Sequence, residues 1–583
     1  MQKRILLALA IVIGLTRFLA IAQSMFDWDE ALFSLGVRDY EVADHRPHPP
    51  GYPLFILAAK AVALTGLDAF RSLQVVVVLG ALFIFPALYW LAREIGFDFT
   101  TAAAGAAVYS FLPNVWIYGG TGFSDVPATT LVFLACALLL RGRRDTRSYI
   151  LGAVVLGIAA GIRPANLLIG AVPALLATWM QIRAKSYRTI AAAMVFGAII
   201  VAGSYVGAAL ASRSVDAYLH IVRVQSEYVA EIDSWRNPKR VGLWEAAKAF
   251  WLWPVWQHDM LNALAIGAVL STLAALVRRR IEPLLTMAIF TPLAILSWLN
   301  LDISNTGRYA ISYMAAHALL AADGFRLFGR KVQIALCSVL VIVFIVWTWP
   351  ALQSQRTTDA PPVAALLWVR DNVPATTPFY LFGGFGPLAD YLLPDHRPVY
   401  FDNVDDIPPI PPGTTGDALV IDWRVREGGQ SFIRPHTTLW NVIRRRNFEA
   451  SVSSVASLIR FGAGWHEPEG TGKRPFRWMK KDGVALLPPM RGSGVVSMRV
   501  HVPLDFLSAP PTLEVYWNGQ LLERFIASTE RVERSWTLPS RSDVPNELRI
   551  ITSATIVPAS RGDSGDMREL GLRLDRLSWM PSH

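Results

Sequence analysis

Between Phe26 and Leu57 the chain runs FDWDEALFSLGVRDYEVADHRPHPPGYPLFIL, a stretch with more chemistry in it than a connector needs. Asp27, Asp29 and Glu30 put three acids in four positions, and His45, Arg46 and His48 follow before an HPPGYPL turn. Connections between helices are mostly short, and reactive groups concentrate on loops held by a rigid scaffold. Desolvation and a neighbouring like charge both raise the proton affinity of a carboxylate, so Asp29 beside Trp28 and Glu30 can be tuned as a base. The competing reading is an acid at a helix N-terminus, favoured there by the dipole.

Three further positions stand out against apolar surroundings. Asp125 in GFSDVPA opens a hydrophobic run, where a dipole-stabilising acid serves as well as a site residue. Arg163 in GIRP interrupts a hydrophobic hairpin; an arginine at membrane depth is costly, and its alternatives are a functional contact or snorkelling to the surface. LDISNTGRYA brings Asp302, Arg308 and Tyr309 to the mouth of a late apolar run.

These residues must be positioned by membrane helices. A chain of 583 residues that is 53% hydrophobic, with a mean hydropathy of +0.36, is too apolar for a water-soluble protein. Runs suited to crossing a bilayer lie near 5–22, 72–92, 101–118, 126–140, 149–162, 165–181, 189–210, 260–277, 283–300, 309–325 and 332–350, which predicts eleven spans. The first is expected to stay as an uncleaved helix. Tyr52–Leu67 is short and carries Lys60, so it is expected to lie along the membrane surface. Basic clusters at 141–147, 183–188, 277–280 and 326–331 all fall on one side of an eleven-span count, the positive-inside signature. That accounts for the net charge of +10 without nucleic acid as a partner. It also puts the loops 23–71, 119–125, 211–259 and 301–308 outside, with everything after Pro350. Cys136 and Cys337 lie inside apolar runs, which argues against a disulfide framework.

Beyond Pro350 prolines, glycines and charges spread evenly. A helix is expected at Val363–Arg370 and short strands near Phe379–Phe382 and Ala418–Asp422, around a Pro-rich loop at 407–412. From Ser451 the pattern turns to β: Val496, Met498, Val500 and Val502 alternate with polar residues, and Leu513, Val515 and Trp517 run into Asn518-Gly519, a hairpin signal. Further strands fit Glu547–Thr552 and Gly571–Leu577. The expected fold class is a polytopic α-helical membrane protein, 1–350, followed by a small α/β unit, 351–450, and a β-sandwich, 451–583, both extracytoplasmic.

An acidic pair just after the first helix, followed by His-Pro-Pro leading into an apolar helix, resembles the GT-C superfamily of membrane glycosyltransferases. Protein O-mannosyltransferases and lipid A aminoarabinose transferases belong to it, and HPPGYPLF with SLGV upstream looks like a mannosyltransferase-like family within it. Asp29-Glu30 and His48-Pro49-Pro50 are the matching positions. The doubled acid in DWDE and the ADHRPHPP spacing depart from the familiar patterns. The resemblance implies an inverting enzyme that moves a sugar, mannose by analogy, from a polyprenyl-phosphate-linked donor to an acceptor hydroxyl on a glycan, lipid or protein. It places the enzyme in a bilayer, the bacterial inner (plasma) membrane, acting on the outer face.

On that resemblance Asp29 is the catalytic base and Glu30 orients it or binds the acceptor, while His48, Asp125, Arg163, Arg308 and Tyr309 bind substrate. Arg308 would supply forked hydrogen bonds to the lipid phosphate. The resemblance suggests catalysis without a metal, while Asp27, Asp29, Glu30 and His48 offer oxygen and nitrogen ligands from which a divalent site could assemble. The chain has neither a Walker loop nor a Rossmann fingerprint, which disfavours a nucleotide-sugar donor. The alternatives are a lipid-carrier transporter or flippase, and a non-catalytic glycan-binding protein anchored by its helices.

Overall fold

A computed structural model of the chain describes residues 1–252, 254, 259–402, 404, 407, 419–423, 429–434, 449–455, 458–469, 476–561 and 565–581. Most of the expected Pro-rich loop at 407–412 lies outside the described residues. The chain divides into two compact units. The first holds Met1–Asp371, Pro387–Pro394 and Phe432–Ala450, and the second holds the remainder.

In the first unit, every apolar run read from the sequence is helical: Gln2–Arg17, Ala69–Ile95, Phe99–Ser110 with Pro113–Tyr118, Asp125–Arg141, Thr146–Ile162, Leu167–Arg183, Tyr187–Ala211, Asp259–Arg278, Ile281–Asn300, Met314–Phe325 and Arg330–Thr357. The starts are written locally. Asp68, Asp98 and Asp145 are N-caps whose side chains accept from backbone N–H groups of the first turn. Pro113 occupies a first-turn position and splits the 101–118 run into two helices. The last helix continues past Pro350 to Thr357.

Among the described residues six helical stretches are long and apolar enough to cross a membrane: Ala69–Ile95, Pro164–Arg183, Tyr187–Ala211, Leu261–Arg278, Ile281–Asn300 and Arg330–Asn372. Their outward side chains are apolar, among them Leu175, Met194, Leu210, Val277 and Val346, all exposed. Such a surface suits hydrocarbon rather than water, so the chain is an integral membrane protein. Between the helices small residues permit close approach: a Cβ on Gly324 would overlap the backbone of Gly267. Tyr52–Leu67 forms the short apolar helix Pro53–Ala63. The segment 211–259 is largely helical, with Val215–Tyr228 running into the π-turn Val229–Asp233.

The second unit is β-rich. Phe379–Phe382 pairs in parallel with Val399–Phe401 and with Leu419–Asp422, and the latter pairs antiparallel with the strand Glu449–Ser454. Two antiparallel sheets follow. One orders Gln520–Ile526, Thr512–Trp517, Asn546–Thr552, Asp482–Leu487 and Arg460–Phe461; the other orders Arg531–Pro539, Ser493–His501, Arg573–Pro581 and Arg477–Trp478. Leu513, Val515, Leu548 and Ile550 of the first share one core with Val496, Met498, Val500 and Leu574 of the second, the arrangement of a sandwich. The turn at Asn518-Gly519 has positive φ at both residues, 52° and 84°, the geometry for which Asn-Gly is favoured.

Candidate functional site

The acidic stretch folds as the start of a helix, Trp28–Arg38, with Asp27 and Glu30 forming a capping box. Glu30 is fully buried. Its Oε2 accepts from the N–H groups of Phe26 (2.7 Å) and Asp27 (3.3 Å), and its Oε1 from that of Gly122 (2.7 Å). Burial pushes its pKa up to about 8, against these backbone donors, which favour the anion. The carboxyl group thus ties the helix start to the loop before Asp125. That loop can approach because Gly120 lacks a side chain; a Cβ there would overlap the Ala20 carbonyl.

Asp29, one position on from the helix start, points elsewhere. Its Oδ2 accepts from Nη1 of Arg308. Arg308 sits in the short helix Thr306–Tyr309, and its Nε donates to Asp125 Oδ2 at 3.0 Å. Its guanidinium also lies over the Phe123 ring, 4.2 Å from the centroid. Asp125 opens the helix Asp125–Arg141, and its Oδ1 stands 3.2 Å from Nη1 of Arg163. The same Arg163 nitrogen is 3.4 Å from Ser124 Oγ. Four segments distant in sequence therefore deliver an alternating chain, Asp29–Arg308–Asp125–Arg163, in which two acids balance two arginines.

Exposure differs sharply along that chain. The Arg308 side chain is 3% exposed, whereas that of Asp29 is 25% exposed. Asp29 is thus the more exposed member of the Arg308 pair.

His48 approaches from the other side. Its Nε2 lies 3.0 Å from the Tyr52 hydroxyl, and its ring packs against Phe33 at a centroid distance of 5.2 Å. Its Nδ1 is 3.9 Å from Asp29 Oδ1, too far for a hydrogen bond, and has no hydrogen-bond partner among the described residues. Burial pushes the His48 pKa down to about 4, so the ring is neutral at physiological pH. Burial also raises the pKa of Tyr52, whose phenol keeps its proton. A lone pair on Nδ1 would face a carboxylate oxygen, so the favoured tautomer carries its hydrogen on Nδ1 and accepts from Tyr52.

The structure thus gathers Asp29, Arg308, Asp125, Arg163 and His48, and sets Tyr309, half-buried, next to Arg308 on the same short helix. Glu30 and Asp27 lie behind them, engaged with the backbone. Arg46 is outside the cluster, paired with Asp39 at 3.3 Å on the exposed side of the loop, and Asp302 caps a 3-10 turn. Phe123, Ser124, Gly122 and Tyr52 join the site without having stood out in the sequence; the only signal was their neighbours in GTGFSD and HPPGYP. Among the described residues no group of three or more His, Cys, Asp or Glu side chains could hold a metal ion. Asp29 and Asp125 are instead paired with Arg308 and Arg163.

No protein-family model matches the sequence, and no curated protein matches it. Among solved structures the chain is similar to an oligosaccharyltransferase of Archaeoglobus fulgidus in complex with zinc and sulfate, at 12% identity and a TM-score of 0.43, over 68% of this chain and 62% of that one. It is similar to ArnT of Cupriavidus metallidurans bound to undecaprenyl phosphate, at 11% identity and a TM-score of 0.44, over 77% and 97%. It is also similar to the arabinosyltransferase EmbB of Mycobacterium smegmatis, at 11% identity and a TM-score of 0.40, over 98% and 64%.

Proposed function

We propose that the chain is a GT-C-type glycosyltransferase that moves a sugar from a polyprenyl-phosphate carrier to an acceptor hydroxyl on the outer face of the membrane. The carrying observation is the Arg308 site: a buried arginine held between two carboxylates, of which Asp29 is the more exposed. A guanidinium in such a place is fitted to a phosphate, which it can bind with forked hydrogen bonds. A carboxylate beside it is fitted to take a proton as the phosphate leaves.

In this reaction the acceptor oxygen forms a bond to the anomeric carbon while the bond from that carbon to the carrier phosphate breaks. The acceptor proton passes to Asp29, and the polyprenyl phosphate departs against Arg308, with Arg163 adding positive charge through Asp125. Attack opposite the leaving group inverts the anomeric centre. Glu30 acts as a positioning residue, holding the helix that presents Asp29. Mannose is the sugar favoured by the resemblance of HPPGYPLF to mannosyltransferase-like proteins, and a glycan, lipid or protein supplies the acceptor hydroxyl. Positive-inside charge supports a cytoplasmic N-terminus and an extracytoplasmic C-terminal region, in a bacterial inner membrane.

The test is transfer of radiolabelled sugar from mannosyl-phosphoryl-polyprenol to membranes containing the protein. Label in non-extractable or glycolipid product, lost in Asp29→Asn, supports the reading. Binding of the carrier with no bond cleavage under any acceptor would instead favour a lipid-carrier transporter.

A further inference from the structure

Arg308 is nearly sealed from solvent, and its Nη1 already donates to Asp29, the more exposed of the pair. Its contact with the second carboxylate, Asp125, lies deeper, because Asp125 is itself buried and also engaged by Arg163. An anion that takes both terminal guanidinium nitrogens in a fork must therefore displace the Asp29 carboxylate from Nη1. Beside that carboxylate waits an unused donor. Among the described residues His48 Nδ1 is buried without a hydrogen-bond partner, 3.9 Å from Asp29 Oδ1. A buried polar atom left unpaired costs free energy, and here a modest swing of one side chain would satisfy it.

We infer that donor binding is an anion exchange at Arg308: the carrier phosphate displaces the Asp29 carboxylate, which moves onto His48 Nδ1–H and only then stands as a base. This rests on the proposed function and adds an order of events to it. Before the donor arrives, Asp29 is paired with a guanidinium and is a poor proton acceptor. Once the phosphate neutralises Arg308, Asp29 trades that partner for a neutral imidazole and its proton affinity rises. The site then makes its base competent only when a leaving group is in place, and His48 is the positioning residue for the displaced carboxylate. Tyr52 fixes the ring by its contact with Nε2. The exchange re-pairs Asp29 between Arg308 and His48, with Asp125 and Arg163 beyond Arg308.

The exchange predicts an unusual affinity order for undecaprenyl phosphate, measured on the purified full-length protein with undecaprenol as the uncharged control. Asp29→Asn removes the competing anion, so it should bind undecaprenyl phosphate more tightly than wild type, by roughly tenfold or more, the scale of a charge-assisted contact. His48→Phe should bind it more weakly, because the displaced carboxylate has no partner. In Asp29→Asn/His48→Phe the His48 effect should vanish, since His48 acts only through Asp29. Equal or weaker binding by Asp29→Asn, with wild type binding and Arg308→Lys impaired, would overturn the exchange while leaving the proposed donor intact. No binding by wild type would overturn both. Should the variants fold poorly, nitrogen-15 histidine spectra of wild type decide the matter. Undecaprenyl phosphate should shift one histidine Nδ1–H resonance downfield, as a new carboxylate bond requires, and histidine Nδ1–H resonances that all stay unmoved would refute the exchange.

Discussion

Replacing Arg308 by lysine keeps the charge and removes the fork, and the structure sets what that should cost. The guanidinium reaches Asp125 through Nε and Asp29 through Nη1 while lying over Phe123. A single ammonium cannot hold both carboxylates from one place. A hydrogen bond to a charged group is worth about 1.5–3 kcal/mol. Asp29 is the contact to lose, because it is 25% exposed and can rehydrate, so the expected loss is near the low end, about 1.5–2 kcal/mol. Arg308→Met loses both contacts. Asp125 still keeps Arg163 at 3.2 Å, which limits the cost to roughly 3 kcal/mol, the lower edge for breaking a buried pair. Thermal unfolding in detergent should rank wild type above Arg308→Lys above Arg308→Met, with steps of a few degrees. Undecaprenyl phosphate affinity should fall about tenfold or more in Arg308→Lys. A lysine variant matching wild type in both melting and carrier binding would refute the argument that the fork matters.

Asp29→Asn should lower sugar transfer by about 10²–10⁴-fold in a turnover assay, the usual cost of losing a general base. Glu30→Gln should act differently: an amide NH₂ would confront backbone donors, so it should melt early, losing about 1–3 kcal/mol, and its turnover per folded molecule should fall less than that of Asp29→Asn. His48 gives a pH signature. Its pKa falls from 6.5 in the unfolded chain to about 4, so the unfolded state binds the extra proton between those values. Stability is therefore whole above pH 6.5 and is lost as pH falls toward 4, by at most about 3 kcal/mol, and melting curves of His48→Phe should show a flatter slope in that window. Trp517→Ala should cost the sandwich about 3–5 kcal/mol, read by unfolding, since its ring is 6% exposed and lies 5.2 Å from Trp579. Reporter fusions at Arg144 and beyond Thr357 should report opposite sides of the membrane, and the same side for both would overturn the topology.

The helices were legible because apolar runs and their aspartate caps are local features, and so were the alternating strands around Asn518-Gly519. What the runs did not disclose is where continuity breaks. Pro113 splits one helix, and Pro350 leaves another intact, because the cost of a proline depends on whether neighbours re-satisfy the freed carbonyl. At the site, residue types pointed to Asp29, Asp125, Arg163 and Arg308 one by one. Their assembly into one alternating chain is a tertiary fact, set by helices far apart in sequence. The division of labour between Asp29 and Glu30 was equally hidden: adjacent acids on a helix start point about a quarter-turn apart, and only the fold shows that Gly122 claims one of them. Arg17 left no mark in the sequence, yet it is wholly buried, donating to the carbonyls of Ile13 and Ser110 beside Phe111 and Trp116.

The most direct test is an experimental structure of the full chain with undecaprenyl phosphate bound. The phosphate should lie within hydrogen-bonding distance of the Arg308 guanidinium, with the Asp29 carboxylate adjacent and facing the space an acceptor hydroxyl would fill. A phosphate seated elsewhere, with the Asp29–Arg308 pair unbroken, would contradict the central claim.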